Sequence, residues 1–234
     1  MGNIFQFKQF SVDQNNCAMR INTDGVLLGA LATAENPARI LDIGTGTGVV
    51  ALMLAQRYEK AAVFAVEIDC LAAKQAEKNF DNSPFSTRLT LTHSDVFQYQ
   101  VNSPFDLIIS NPPFYTNSLH NPDPRKKVAK HTDRDFFCNL LEFARKNLQP
   151  FGLLQIIVPG DLLELLVEES DKNHLYLTHK LAIRSFAQSN VIRYILSFCP
   201  SKKKLILDEF VIYQEKSIHS EAYITLLKPY FLAY

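Results

Sequence analysis

From Arg39 onward, short apolar runs alternate with segments of helical spacing, and this alternation constrains the fold more than any other feature of the chain. Strands without a polar side must be covered on both faces, so the pattern predicts a largely parallel sheet with helices above and below it. Arg39 to Ile43 reads as a buried strand, followed by a glycine turn and a helix through Ala51 to Tyr58. Val63 to Glu67, Leu89 to Thr92, Phe105 to Ser110 and Leu153 to Val158 read as further strands. Cys70 to Phe80, Asp135 to Asn147 and Asp161 to Lys172 carry helical spacing, and the second of these is expected to end near Pro150, which cannot continue a helix.

Toward the C-terminus the alternation changes. Leu175 to Ile183 and Val191 to Phe198 are joined by a connection too short for a parallel crossover, so they are expected to pair as an antiparallel hairpin. Phe210 to Tyr213 reads as a further strand and Glu221 to Leu232 as a closing helix. Ahead of the sheet, Phe5, Phe7 and Val12 sit on an extended, hairpin-like segment, and Thr23 reads as the cap of a helix over Val26 to Ala32. The expectation is one α/β domain over residues 1–234, with 1–38 covering a core of 39–234. Its sheet is expected to be seven-stranded and mostly parallel, with an antiparallel C-terminal hairpin.

No apolar run approaches the ~18 residues that span a bilayer, and Met1 to Phe10 lacks the basic-then-apolar pattern of a signal peptide. Cys17, Cys70, Cys138 and Cys199 are far apart and form no CxxC pair, which argues against a metal site or disulfide framework and for a reducing, cytoplasmic setting. Lys plus Arg and Asp plus Glu both total 24, so net charge is silent about partners. Local charge is not: Arg125, Lys126, Lys127, Lys130 and Arg134 crowd a stretch containing Asp133 alone as an acid, and Lys202 to Lys204 form a second cluster. Read in isolation, either run is a solvated surface. Nothing in the chain calls for an obligate protein partner.

Leu41-Asp42-Ile43-Gly44-Thr45-Gly46-Thr47-Gly48 closes one expected strand and opens the next helix. Glycines here let the backbone turn tightly and approach a ligand. Val49 stands where a dinucleotide fingerprint would place its last glycine, and Asp42 is an acid at the turn. An acid suits a cationic sulfonium better than a pyrophosphate, which instead gains from a helix N-terminus. Glu67, with Ile68, ends the second strand, where a carboxylate can accept from both ribose hydroxyls. Asp95, with Val96, follows the third, placed to accept from an adenine amino group. Taken singly, each acid reads as a cap or turn residue. At successive strand ends they read as one nucleoside pocket, suited to S-adenosylmethionine.

The fourth strand ends in Asn111-Pro112-Pro113-Phe114. The lone pair of an exocyclic amino group is delocalised into its ring, so the nitrogen is a poor nucleophile. Two acceptors at tetrahedral angles, the Asn111 side-chain oxygen and the Pro112 carbonyl, would favour an sp³ nitrogen. The prolines hold those acceptors in place before substrate arrives. Phe114, followed by Tyr115, offers a face for a flipped-out base, worth ~1–3 kcal/mol. The stretch Arg125, Lys126, Lys127, Lys130 to Arg134 is expected to form a loop directly after this motif, where cations would meet flanking phosphates.

With both motifs in hand, the chain resembles the bacterial tRNA1(Val) (adenine(37)-N6)-methyltransferase family, within the class I Rossmann-like methyltransferases. The resemblance runs nearly full length, through Phe7-Lys8-Gln9-Phe10, Cys17-Ala18-Met19 with Thr23-Asp24-Gly25, Asp42-Ile43-Gly44, Ser110-Asn111-Pro112-Pro113 and Ser220-Glu221-Ala222-Tyr223. It implies methylation of the adenine beside the anticodon of a valine tRNA, with the anticodon stem-loop as partner. By motif, Thr23, Asp42, Gly44, Thr45, Gly46, Glu67, Ile68, Asp95, Val96 and Asn111 would hold the cofactor. Asn111, Pro112 and Phe114 would act on the base, with Tyr115 and the basic stretch binding the RNA. Thr23 is otherwise simply a helix cap. The same tetrapeptide serves guanine-N2 methylation of ribosomal RNA and glutamine-N5 methylation of release factors, which are the rival substrates. A non-catalytic RNA-binding module and a nicotinamide oxidoreductase are rivals of other kinds.

Overall fold

Ile40, Leu41 and Ile43 on one strand and Leu107, Ile108 and Ile109 on its neighbour are almost wholly buried, which requires protein on both faces of the sheet. The computed structural model, which describes residues 3–15, 17, 19–112 and 125–234 (backbone only over 125–133), supplies it. The elements run β1 (Ile4–Gln6), β2 (Ser11–Asp13), α1 (Thr23–Ala30), β3 (Arg39–Ile43), α2 (Val49–Arg57), β4 (Ala62–Glu67), α3 (Cys70–Asp81) and β5 (Leu89–His93). They continue with β6 (Phe105–Ser110), α4 (Arg125–Asn147), β7 (Leu148–Val158), α5 (Leu163–Lys172), β8 (Tyr176–Arg184) and β9 (Val191–Cys199). The chain closes with β10 (Ile206–Val211), β11 (Tyr213–Glu215), β12 (Ile218–His219) and α6 (Glu221–Leu227).

The main sheet has the order β10-β8-β9-β7-β6-β3-β4-β5. All neighbours are parallel except the pairs made by β9, which runs against both β7 and β8. The expected seven strands and antiparallel hairpin are present, and β10 lengthens the sheet to eight. Ile40, Leu107 and Ile109 face a core shared with Leu27 of α1, Leu52 of α2, Ala76 of α3 and Leu227 of α6. Leu41, Ile43 and Ile108 face the opposite core, with Leu140 of α4 and Leu166 of α5. Alternate side chains of one strand therefore feed two cores, as the period of two demands.

Three local expectations are corrected. The cap of α1 is Asn22, whose Oδ1 accepts from the Gly25 N–H at 2.9 Å; Thr23 is the first helical residue. The basic stretch from Arg125 belongs to helix α4 rather than to a loop. Pro150 lies inside β7, because the helix passes directly into the strand at Leu148 and the proline falls in a register shift between the pairs Phe105↔Leu148 and Leu107↔Leu153. A bulge is where a strand tolerates a residue without an N–H. Gly152 follows it by necessity, since a Cβ there would lie 2.7 Å from the Phe105 carbonyl oxygen.

The N-terminal hairpin of β1 and β2 forms as expected. Asn79 of α3 fastens its end: its side chain accepts from Asp13 N at 3.0 Å and donates to the carbonyls of Asp13 and Thr47, at 2.9 and 2.8 Å. Helix α1 is buried from Gly25 to Ala30, with Gly29 closing on Met53 of α2.

Candidate active site

The site lies where β3 and β6 end side by side. The register places Ile43 opposite Ser110, and the Ser110 hydroxyl donates to the Ile43 carbonyl at 2.9 Å. That bond joins the residue before the glycine turn to the residue before Asn111. The two motifs, 67 residues apart at this contact, thus become neighbours through one buried side chain.

Beyond Ile43 the backbone turns through Gly44, Gly46 and Gly48, all at positive φ (69°, 57° and 83°). A Cβ at Gly48 would meet Phe80 at 2.5 Å, whereas at Gly44 and Gly46 nothing lies within 4 Å. The third glycine is therefore required by packing, and the first two present bare backbone to an open cleft. Met19, Arg20, Ile21, Asn22, Gly25, Asp42, Gly44, Thr45, Gly46 and Asn111 are among the residues lining that cleft.

Asp42 lies beneath the turn. It is 1% exposed, accepts from the Thr45 hydroxyl at 2.6 Å, and is further bonded by the Ala51 backbone. Burial lifts its carboxyl from the ordinary 3.8 to about 7; the hydrogen bonds from Thr45 and Ala51 oppose the rise and the Glu67 charge adds to it. A cation at this cleft would relieve that strain on the charged form. Glu67, at the end of β4, accepts from Gly46 N at 2.8 Å with one oxygen and from Asp69 N at 2.9 Å with the other. Its carboxylate thus closes the turn from behind; Glu67 is buried and is not among the residues lining the cleft. Cys17 is nearby: its thiol is pushed up to about 11 by burial first, then by Glu67, Asp69 and Asp13.

Asn22 also sets the orientation of Asn111. Because Asn22 Oδ1 already accepts from Gly25 N, it is an oxygen that faces Asn111, and Asn111 meets it with its amide nitrogen, at 3.5 Å. The Asn111 Oδ1 is therefore turned away from Asn22. Pro112, the next residue, is buried. Asn22 itself is missed by a reading that takes Thr23 as the cap, although Asn, Thr and Asp stand in succession and each is a competent cap.

The remaining expected residues are distributed as follows. Thr23 is exposed and is not among the residues lining the cleft. Ile68 projects into solvent at 68% exposure, beside Glu67. Asp95 caps a short 3-10 turn by accepting from Phe97 N at 2.9 Å, and the Val96 side chain is buried in the core. Phe114 and Tyr115 lie outside the described residues, as do the side chains of Arg125, Lys126, Lys127 and Lys130, whose backbone forms the first turns of α4. Arg134 pairs with Glu169 of α5 at 3.1 Å, a structural rather than a free cation. On the other flank, Arg193 of β9 binds Asp24 of α1 at 2.7 Å, fixing the helix that follows the cleft-lining segment.

These residues fit a sulfonium nucleoside. Two glycines with no neighbour above them, a buried acid beneath, a second acid at the next strand end and an exposed isoleucine beside it match a cationic ligand with a ribose and a flat base. A model of the methyltransferase small domain matches residues 20–162. A protein from Pedobacter heparinus named tRNA1(Val) (adenine(37)-N6)-methyltransferase is 47% identical over 234 residues, covering 100% of both chains. The chain belongs to this methyltransferase family.

A relative of the methyltransferase in Phocaeicola vulgatus, carrying the same name, is 39% identical over 97% of each chain. Among solved structures, a protein described as a predicted O-methyltransferase from Agrobacterium tumefaciens superposes with a TM-score of 0.70 at 19% identity, over 88% of this chain and 96% of that one. TrmN from Thermus thermophilus gives 0.58 at 21% identity, over 75% and 47%. At such identities the structures speak for the fold of the methyltransferase alone.

Proposed function

We infer that this chain transfers a methyl group from S-adenosylmethionine to the exocyclic N6 of adenosine 37, beside the anticodon of a valine tRNA. One observation carries the reading. Asn111 lines the same cleft as Gly44, Thr45 and Gly46, tied there by the Ser110 to Ile43 bond. Full-length relatives that share the name of this reaction support the substrate.

The bound cofactor supplies an electrophilic methyl on a cationic sulfur. The chain's own residues do the rest. Asp42 contributes negative charge beneath the turn, and Glu67 offers ribose-accepting oxygens at the end of β4. Asn111 Oδ1 and the Pro112 carbonyl accept the two amino protons of the base, which concentrates the nitrogen lone pair. Pro112 and Pro113 hold the acceptors in advance, so no reorganisation accompanies the reaction. No strong base is needed before transfer, because the proton can leave afterwards. Phe114 and Tyr115 stack the base, and Arg125, Lys126, Lys127 and Lys130, at the positive end of α4, meet the anticodon-stem phosphates. A tRNA substrate implies a cytoplasmic reaction.

The test is incubation with labelled cofactor and total bacterial tRNA, followed by nucleoside mass analysis and mapping of the label. N6-methyladenosine at position 37 of a valine tRNA is expected. Label appearing instead as N2-methylguanosine in ribosomal RNA, or in a release-factor glutamine, would replace the proposed substrate while leaving the amide-acceptor chemistry intact.

A further inference from the structure

β10 is the outer strand of the main sheet, bonded along one edge to β8, and no described strand pairs with its other edge. Leu205, Ile206 and Leu207 are 42%, 55% and 62% exposed. An apolar edge open to water is a template for another strand, and proteins usually interrupt such edges with charge, proline or a covering element. Here the charges flank the apolar run instead: Lys202, Lys203 and Lys204 precede it, and Asp208 and Glu209 follow it.

This arrangement is complementary to itself. Laid antiparallel on a second copy about Ile206, the segment sets Ile206 against Ile206, Leu205 against Leu207, Lys204 against Asp208 and Lys203 against Glu209. Opposed residues share a face in an antiparallel ladder, so each apolar pair can touch and each charged pair can meet. A slip by a single residue or by a pair, in either direction, places a lysine or an acid against a leucine or isoleucine. Asp208 and Glu209 do contact β8, through His179 at 2.8 Å and Arg184 at 3.2 Å, yet their side chains remain 55% and 61% exposed.

We propose that β10 is a homotypic docking edge, on which a second copy of this chain adds its own β10 antiparallel about a two-fold axis at Ile206. The sheet then runs continuously from one copy into the other. Because β10 runs in the same direction as β3 and β6, the axis points the two clefts opposite ways and leaves each open to its own substrate.

Sedimentation of the full chain at about 100 µM, where a micromolar dimer is largely formed, is expected to show the dimer mass. The variant K203E/K204E is expected to be monomeric, as is D208K/E209K, while an equimolar mixture of the two is expected to recover the dimer mass, since every charged pair is then opposite in sign. The lysine variant leaves the His179 and Arg184 contacts untouched, so it decides the matter even if the acid variant fails to fold. A monomeric parent, a dimer unaffected by K203E/K204E, or two folded variants that stay apart on mixing would overturn the proposal. Loss of tRNA affinity in K203E/K204E from a parent that is already monomeric would assign the edge to RNA instead.

Discussion

The two ends of the same parallel strands make different surfaces. At the N-terminal ends, Thr33, Glu35, Asp106, Phe151, Gly152 and Lys203 border a cavity of about 470 Å³, whereas the cleft at the C-terminal ends of β3 and β6 measures about 40 Å³. At the roomier end Asp106 is committed to structure, accepting from Ala38 N and Arg39 N at 2.8 and 2.9 Å. The narrow end gathers bare glycine backbone, a buried acid and an oriented amide. Space alone does not make a site; convergent polar groups at the carboxyl ends of parallel strands do.

If that contrast is right, substitutions at the two ends should separate cleanly. The largest effect is expected from Asn111→Ala, which should lower turnover by about 10²-fold or more while leaving cofactor affinity nearly unchanged, as for loss of a preorganised acceptor. Single-turnover rates and calorimetry together check this, and full activity would remove Asn111 from the chemistry. Glu67→Ala should weaken cofactor binding by about 10-fold or more, through lost hydrogen bonds to a charged acceptor and a loosened Gly46 turn; an unchanged titration would take Glu67 out of the pocket.

Asp42 offers a pH-dependent test. Its carboxyl ionises near 4 in an unfolded chain but at about 7 in the folded one. Between those values the unfolded state has released a proton that the native state keeps, so the acid's contribution to stability declines as pH rises from about 4 to about 7, then levels off. Asp42→Asn cannot ionise, and its melting temperature relative to the parent should climb across that window, by the equivalent of roughly 4 kcal/mol. A difference that stays flat with pH would show that Asp42 is not perturbed. The same variant should bind the cationic cofactor more weakly.

Smaller still, Asn22→Ala should cost about 1 kcal/mol of stability through the lost cap. Asn22→Ser should restore the stability but not the full turnover, because only asparagine also faces Asn111. At the far end, Phe151→Ala should change turnover by less than about twofold, since an exposed side chain away from the chemistry contributes little. A large loss there would erase the contrast between the two ends.

Much of this arrangement was readable from the sequence, for identifiable reasons. The strands that carry the site are continuously apolar because both faces are covered, and such runs are hard to mistake. The glycine turn and Asn111-Pro112-Pro113 lie at the ends of those runs, so their proximity follows from parallel topology. The beginning of α4 was not readable: Arg125 to Arg134 is polar nearly throughout and offers no apolar stripe from which to infer a helix. Pro150 misled for a different reason, since a bulge that admits proline leaves no local signature. The early start of β10 was hidden by the lysines before it. Asn22 and Asn79 act through contacts with residues far along the chain, and no spacing rule announces such a contact.

The pair between Asp24 and Arg193 joins residues 169 positions apart. During synthesis the glycine turn, Asn111 and the cleft-lining segment all leave the ribosome before the arginine that anchors α1 exists. The nascent chain can therefore bring together the candidate cleft early, but the helix at its wall is locked only after β9 has emerged. A ribosome-bound chain halted short of residue 193 should accordingly leave α1 more open to protease than the finished chain does.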